Sequence, residues 1–497
     1  MKIGMKRVTK HSKGALGLVG AMAIAGCGSH ADPGPGGQAE ARASDPNVGI
    51  ESNAGPLVLG RTTRFFVPPP DPGAVQQIVG LLEQADLRDA LKLVEMVGQG
   101  QAVWFNGGTP DDVRKSVKQT VREASSDRRV PILVAYDLPF RDCAQYSAGG
   151  AADTPSYEAW IDGFAAGIGR GAAVVILEPD GLGIIPYNTT IYGAAEWCKP
   201  TVTDALGNVT PAPGADPADR YAQLGYALVS LANKAPNAKV YVDGTHSAWL
   251  GVGEAAYRIH QVTSTASQTA LTQGVSFDPQ SVGFFLNVSN YQPTDQLTQF
   301  GTWVSDCITA ATAGASWAAG HFDWCPSQYD AALDYAVDYS AAYEATVTAS
   351  LQNMLGGATA TTHFLIDTGR NGQGPENTAP YAAAPYNQPA SVISALQSGN
   401  WCNAAGAGLG LRPSADTGVA LLDAYVWVKT PGQSDGSCDI AGGARGWDYS
   451  QYDPWGITGD AQNHFDPLWG MVDPAAGAWF PAQALQLAQN ASPPLGL

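Results

Sequence analysis

Short apolar runs alternate with longer stretches of helical periodicity along most of this chain. The runs cover residues 102–105, 132–136, 174–177, 240–242, 282–286, 364–366 and 424–428. Amphipathic stretches between and before them include 73–98, 110–126, 157–169, 221–233 and 331–354. Runs this short, rich in Val, Ile, Leu and Phe and apolar on both faces, read as buried parallel strands with helices as crossovers. Seven of them predict an α/β fold, a distorted and partly open TIM-like (β/α) barrel of about seven parallel strands. An open dinucleotide-binding sheet is disfavoured because its Gly-x-Gly-x-x-Gly fingerprint is missing.

In such a barrel the loops after the strands build the active face. Here the runs are followed by Asn106, by Asp137 and Asp142, by Glu178 and Asp180, by Asp243, by Asn287 and Asn290, by Asp367 and Arg370, and by Lys429. The third run is the clearest case. Val174-Val175-Ile176-Leu177 stops at Glu178-Pro179-Asp180-Gly181, because proline cannot donate to a ladder and glycine breaks the run. Carboxylates are thus delivered to a strand tip, where burial raises pKa. Arg141-Asp142-Cys143 follows the neighbouring run, and two acids in one cleft push their pKa values apart, as glycosidic bond cleavage requires.

Composition narrows the partners. The 497 residues carry a formal charge of −18, and phosphate binding needs a basic face, so nucleic acid is excluded as a partner. Thirteen Trp and nineteen Tyr indicate a packed, aromatic-rich body rather than disorder. No cysteine pair has zinc-ligand spacing, and no metal or other cofactor is expected. Basic residues Lys2 to Lys13 precede the apolar run 14–26, and Ile24-Ala25-Gly26-Cys27 is similar to a bacterial lipobox. Residues 1–27 are therefore expected to be a lipoprotein-type signal peptide with Cys27 lipidated, the alternative being simple secretion. Residues 28–56, rich in Gly, Pro and Ala, are expected to form a flexible linker, leaving 57–497 as one catalytic domain. The six remaining cysteines suit disulfides in an exported protein.

Seven ordered blocks carry a resemblance. They are Tyr136-Asp137-Leu138-Pro139-Phe140-Arg141-Asp142-Cys143, Leu177-Glu178-Pro179-Asp180, Val242-Asp243-Gly244-Thr245-His246-Ser247-Ala248-Trp249-Leu250-Gly251 and Asn287-Val288-Ser289-Asn290-Tyr291. Asp367-Thr368-Gly369-Arg370-Asn371-Gly372, Trp401-Cys402-Asn403 and Trp427-Val428-Lys429 with Ser434-Asp435-Gly436 complete the set. From about Phe65 onward the chain resembles glycoside hydrolase family 6, the inverting endoglucanases and cellobiohydrolases. The resemblance implies a β-1,4-linked glucan as substrate, cellulose or a soluble β-glucan, and a monomer is expected. It implies Asp180 as proton donor, Asp142 raising its pKa and relaying a proton from water with Ser147, and Asp435 as base or charge-stabilising carboxylate. Tyr136 would press the reacting sugar from its chair. Asp243, His246, Asn290, Lys429 and Gln433 would contact sugar hydroxyls, with Trp104, Trp249 and Trp401 as platforms for pyranose rings. The resemblance also implies the pairs Cys143–Cys198 and Cys402–Cys438, leaving Cys307–Cys325, whose loop could fold back over the cleft.

Three positions depart from the family pattern. Phe140 stands where many members have a polar residue, Gln433 replaces a common glutamate, and Val252 takes the place of a second tryptophan in some relatives. The short 143–157 loop favours endo action. The long 436–474 segment, with Trp447, Tyr449, Tyr452, Trp455 and Trp469, favours cellobiohydrolase action. Endo action is the preferred expectation. Two rivals have other chemistries: a non-catalytic surface glucan binder, and a serine hydrolase using Ser434 in Gly432-Gln433-Ser434-Asp435-Gly436, which needs a helix directly after it.

Overall fold

The structure of the protein is a computed structural model and describes residues 57–439 and 444–496. The expected signal segment with Cys27 and the expected 28–56 linker lie outside the described residues. Seven strands form one parallel sheet: β1 (Ala102–Phe105), β2 (Ile132–Ala135), β3 (Ala173–Leu177), β4 (Ala238–Asp243), β5 (Gly283–Leu286), β6 (Phe364–Asp367) and β7 (Leu422–Val426). Their spatial order is their chain order, so each crossover joins neighbours. The sheet curls until its edges meet at one end. There the Ala102 N–H donates to the Trp427 carbonyl at 2.9 Å, and the Trp104 indole to Val428 at 2.8 Å. No ladder joins β1 to β7 among the described residues, so the barrel is partly open.

Side chains alternate along the strands. Ile132, Val134, Val174 and Ile176 pack inside the barrel with Tyr241, Phe285, Leu365 and Val426. Leu133, Ala135, Val175 and Leu177 face the helical layer. Burial on both faces is why these runs read as uninterrupted hydrophobics.

The helices are α1 (Pro72–Glu83), α2 (Leu87–Val97), α3 (Pro110–Ser126), α4 (Thr154–Ile168), α5 (Pro217–Lys234), α6 (Val252–Gln273), α7 (Thr294–Ala313), α8 (Ala341–Leu355), α9 (Ala390–Ser398) and α10 (Pro481–Gln489). Local chemistry starts α3: a Thr109–Asp112 capping box spans Pro110 at the first helical position, and Val113, Val117, Val121 and Ala124 form its buried stripe. The expected single helix over 73–98 is two helices. Ala85 takes a left-handed φ of 63° and Asp86 caps the second helix through the Asp89 N–H. The stretch expected to be helical from residue 331 has only a 3-10 turn at Ala331–Leu333 and is α-helical from Ala341, because Tyr329–Asp330 and Ala336–Val337 pair first as a small hairpin. Helices α6 and α7 are not among the amphipathic stretches; their many Ser, Thr and Ala residues blur the stripe.

Candidate active site

A cavity of about 1030 Å³ opens at the carboxyl ends of the strands. Asp142, Asp180, Asp435, Tyr136, Ser147, Trp104, Asp243, His246, Trp249, Asn290, Trp401, Lys429 and Gln433 all line it.

The tip of β3 carries two carboxylates with opposite surroundings. Glu178 is fully buried and accepts the Asp137 N–H at 2.9 Å and the Leu138 N–H at 3.1 Å. It anchors the loop after β2. Burial pushes its carboxyl up to about 8 against those hydrogen bonds. Asp180 faces the cavity, and its carboxylate has no hydrogen-bond donor among the described residues. Burial, then the charges of Asp243, Asp142 and Asp435, push it well above the usual carboxylate range. Both residues sit at positive φ, 53° and 64°, which needs outside support.

Two buried arginines supply that support. Arg220 of α5 donates to the carbonyls of Gly181 and Ile184, and Arg258 of α6 to those of Leu182 and Gly183. Asp243, at the end of β4, closes the clamp by accepting the N–H groups of Leu182, Gly183 and Thr245. Its expected contact with sugar hydroxyls therefore competes with backbone duties, and burial pushes it up to about 6. Neither arginine was legible as a site residue, since an arginine in a helical pattern reads as solvent-facing.

Asp142 accepts the Ser147 N–H at 2.8 Å and its hydroxyl at 2.7 Å; that hydroxyl lies 3.0 Å from the Tyr136 phenol. Burial raises the Asp142 carboxyl, with Ser147 opposing. Arg141 ion-pairs with Asp137 at 3.6 Å and lies 4.7 Å over the Tyr136 ring, which it fixes beside Trp104.

The far wall differs. Asp435 is held by Arg370 at 2.7 Å, Lys429 at 3.0 Å and the Asn403 N–H at 2.9 Å. Burial acts to raise its carboxyl, but the two cations outweigh it and the pKa falls below the usual value. Asn403 is a hub that the sequence did not single out. Its side-chain oxygen accepts the Asp435 N–H, and its amide reaches Gly436 and Asp473. Lys429, expected to meet sugar, is engaged with Asp435 and with the Ser434 carbonyl.

His246 accepts the Ala248 N–H on Nδ1, which puts its proton on Nε2, and burial pushes its pKa down to about 3. Asn290 accepts the Tyr291 N–H, leaving its NH2 without a partner among the described residues. The Gln433 amide donates to Asp71 at 3.3 Å.

Several expectations are corrected. The Cys307–Cys325 loop does not fold over the cleft: Phe322 packs on Tyr257 and His260 of α6, and none of residues 307–325 lines the cavity. Trp447, Tyr449 and Tyr452 pack with Tyr381 and Tyr386 in a side cluster, and Trp469 donates to the Asn403 carbonyl, so these aromatics do not roof the cleft. Val252 is fully buried and offers no platform. Ser434 is fully buried, its hydroxyl donating to Pro474 at 2.8 Å, and residues 435–439 directly after it are not helical, which excludes a nucleophile elbow. All three disulfides form: Cys143–Cys198, Cys307–Cys325 and Cys402–Cys438. Cys438, Asp466 and Asp473 come together, but that sulfur is in a disulfide and Asp466 is paired with Arg445, so they are not a free metal-ligand set.

Fold and site together define an α/β-barrel protein with an aromatic-walled cleft that holds raised, unpaired carboxyls on one wall and a cation-paired carboxylate on the other. The chain belongs to glycosyl hydrolases family 6, whose model matches residues 61–491. It is 27% identical over 431 residues to Endoglucanase A of Cellulomonas fimi, covering 86% of this chain and 62% of that protein. It is 30% identical over 375 residues to the probable 1,4-beta-D-glucan cellobiohydrolase C of Aspergillus clavatus, covering 73% and 60%. The chain thus spans about three fifths of the length of these curated relatives. Among solved structures, the endoglucanase Cel6 of Mycobacterium tuberculosis, in complex with a methyl-cellobiosyl-thio-cellobioside, matches with a TM-score of 0.51 and 24% identity. It covers 86% of this chain and 97% of that one, and shares the fold.

Proposed function

We propose that this protein is an inverting β-1,4-glucanase that cuts internal bonds of cellulose or a related soluble β-glucan. One observation carries the reading: a carboxyl in an aromatic-walled cleft, Asp180, raised well above the usual range by burial and neighbouring acids, with a second acid, Asp142, tied to the Ser147 hydroxyl in the same cleft. Asp180 gives its proton to the glycosidic oxygen as the bond to the leaving sugar breaks. A water attacks the anomeric carbon from the opposite face, and its proton passes through Ser147 to Asp142. Inversion needs room for that water, with carboxylates roughly 6.5–9.5 Å apart. Asp435, kept ionised, stabilises the oxocarbenium-like charge. Tyr136 presses on the reacting ring, and Trp104, Trp249 and Trp401 are the flat apolar surfaces on which neighbouring sugars rest. His246, Asn290, Lys429, Gln433 and Asp243 are proposed to meet hydroxyls.

Endo action is supported by the first relatives and by the placement of the 447–469 aromatics away from the cleft. The cellobiohydrolase reading is supported by one contact: Tyr146, on the loop after Asp142, reaches Trp401 with ring centroids 6.1 Å apart. Residues 1–27 and 28–56 are proposed as signal peptide and linker before a catalytic domain at 57–497. Export, with Cys27 as a lipid anchor, and a monomeric state belong to the same proposal. The test is hydrolysis of a soluble β-1,4-glucan by wild type and Asp180→Asn, with product anomer and chain length followed by NMR and chromatography. The expected first product is the α-anomer in mid-length fragments. A β-anomer, or equal activity in the variant, overturns the reading.

A further inference from the structure

A second cavity adjoins the cleft, sharing Arg141, Ala148 and Trp197 with it. Phe140 and Trp197 are its aromatic walls, and Gly149, Gly150 and Lys199 complete the side away from the cleft. Trp197 is 55% exposed although it borders both cavities, so its ring is open to a ligand. It is held in place from behind: Cys198 is bonded to Cys143, next to Asp142, and the Trp197 N–H donates to Glu196, which faces the buried Arg258. Phe140 has a left-handed φ of 57°, uncommon for a bulky residue and kept by the surrounding loop. It is also one of the three positions where this chain departs from the family pattern.

The donors fit the same use. Arg141 spends Nε and Nη1 on backbone carbonyls, while Nη2 has no hydrogen-bond partner among the described residues. A methyl group at Gly149 would come within 3.1 Å of that Nη2, so glycine leaves it accessible. Two aromatic walls with cationic donors between them suit a pyranose, which presents apolar C–H faces and an equatorial rim of hydroxyls.

We propose that this second cavity is an additional sugar subsite, with Trp197 as the platform at its mouth and Phe140 as its inner wall. It takes a glucosyl unit of the same chain, beyond the sugars that flank the cleaved bond. The assignment rests on the glucanase reading above and extends it to chain-length preference.

The test compares kcat/KM on cellohexaose and cellotetraose for wild type, Trp197→Ala, Trp197→Tyr and Phe140→Ala. The hexaose-to-tetraose ratio is expected to fall about tenfold in Trp197→Ala, the size of one stacking contact. It should recover most of the way in Trp197→Tyr and fall severalfold in Phe140→Ala. Damage to the Asp142 loop would lower both substrates together and leave the ratio in place. An unchanged ratio in both alanine variants, with wild type cleaving both substrates, overturns the subsite alone. A wild type that cleaves neither overturns the glucanase reading and the subsite with it.

Discussion

The two walls of the cleft treat negative charge in opposite ways. On the wall built from the tips of β2, β3 and β4, Asp142, Asp180 and Asp243 have no cation within ion-pair distance among the described residues, and each carboxyl is raised. On the wall built after β6 and β7, Asp435 lies against Arg370 and Lys429 and is lowered. Burial is shared, so it does not explain the difference. Pairing does: a buried carboxyl is lowered where cations meet it and stays raised where none comes within ion-pair distance. The function proposed above, donating a proton and stabilising positive charge, uses one wall of each kind.

The largest expected effect removes the proton itself. Asp180→Asn should lower kcat on a soluble β-1,4-glucan by about 10²–10⁴-fold. The loss should shrink on an aryl glycoside whose leaving group departs without protonation. The same variant should melt higher. A carboxyl raised in the folded state is penalised above its unfolded pKa, so removing the charge favours the fold at neutral pH. Differential scanning calorimetry beside the kinetics tests both halves, and a lower melting temperature would contradict the unpaired state of Asp180.

Next comes the paired wall. Asp435→Ala leaves Arg370 and Lys429 buried without their carboxylate and should cost about 3–5 kcal/mol in urea unfolding. Because the pKa of Asp435 is depressed on folding, its contribution is fully present above the unfolded value and fades as pH falls below about 4. The stability gap between wild type and variant should therefore close in acid.

Glu178→Ala separates the two carboxylates of the β3 tip. It orphans the N–H groups of Asp137 and Leu138 and should cost about 1–3 kcal/mol. Folded enzyme should keep kcat within severalfold of wild type, in contrast to Asp180→Asn.

The smallest effect is a displacement in pH. Activity needs Asp180 protonated, so it falls as pH rises through that raised pKa. Asp142 and Asp435 each push the Asp180 carboxyl upward, Asp142 more strongly. In the residual activity of Asp142→Asn and Asp435→Asn, the alkaline limb of kcat/KM should move to lower pH, further in the first. A limb that stays put would assign it to another group.

Much of this was legible in the chain. The seven runs matched seven strands because both faces of each are buried, and continuous apolarity survives in sequence. Asn106, Asp142, Asp180, Asp243, Asn290 and Lys429 were findable because each follows a strand, and strand ends gather at one face; Ser147, His246, Trp249, Trp401, Gln433 and Asp435 were named only through the resemblance to the family. What escaped notice was support: Arg220 and Arg258 lie on helices far along the chain from the β3 tip they clamp, and Asn403, though inside a matching block, gave no sign that it holds Asp435. The 307–325 loop and the 447–469 aromatics were assigned to the cleft because loop length and aromatic content do not encode direction.

The sequence by itself determined the parallel barrel and the acids at the tips of β2, β3 and β4, because hydrophobic period and strand-end chemistry are local properties; the rest of the cleft lining was named through the family resemblance. Only the tertiary structure decided which carboxylates are paired. Glu178 and Asp180 are two residues apart, yet one accepts backbone N–H groups and the other faces the cleft. That division depends on donors and cations brought in from β2, α5 and the β6 and β7 loops, and proximity across the fold is not written in any one stretch of chain.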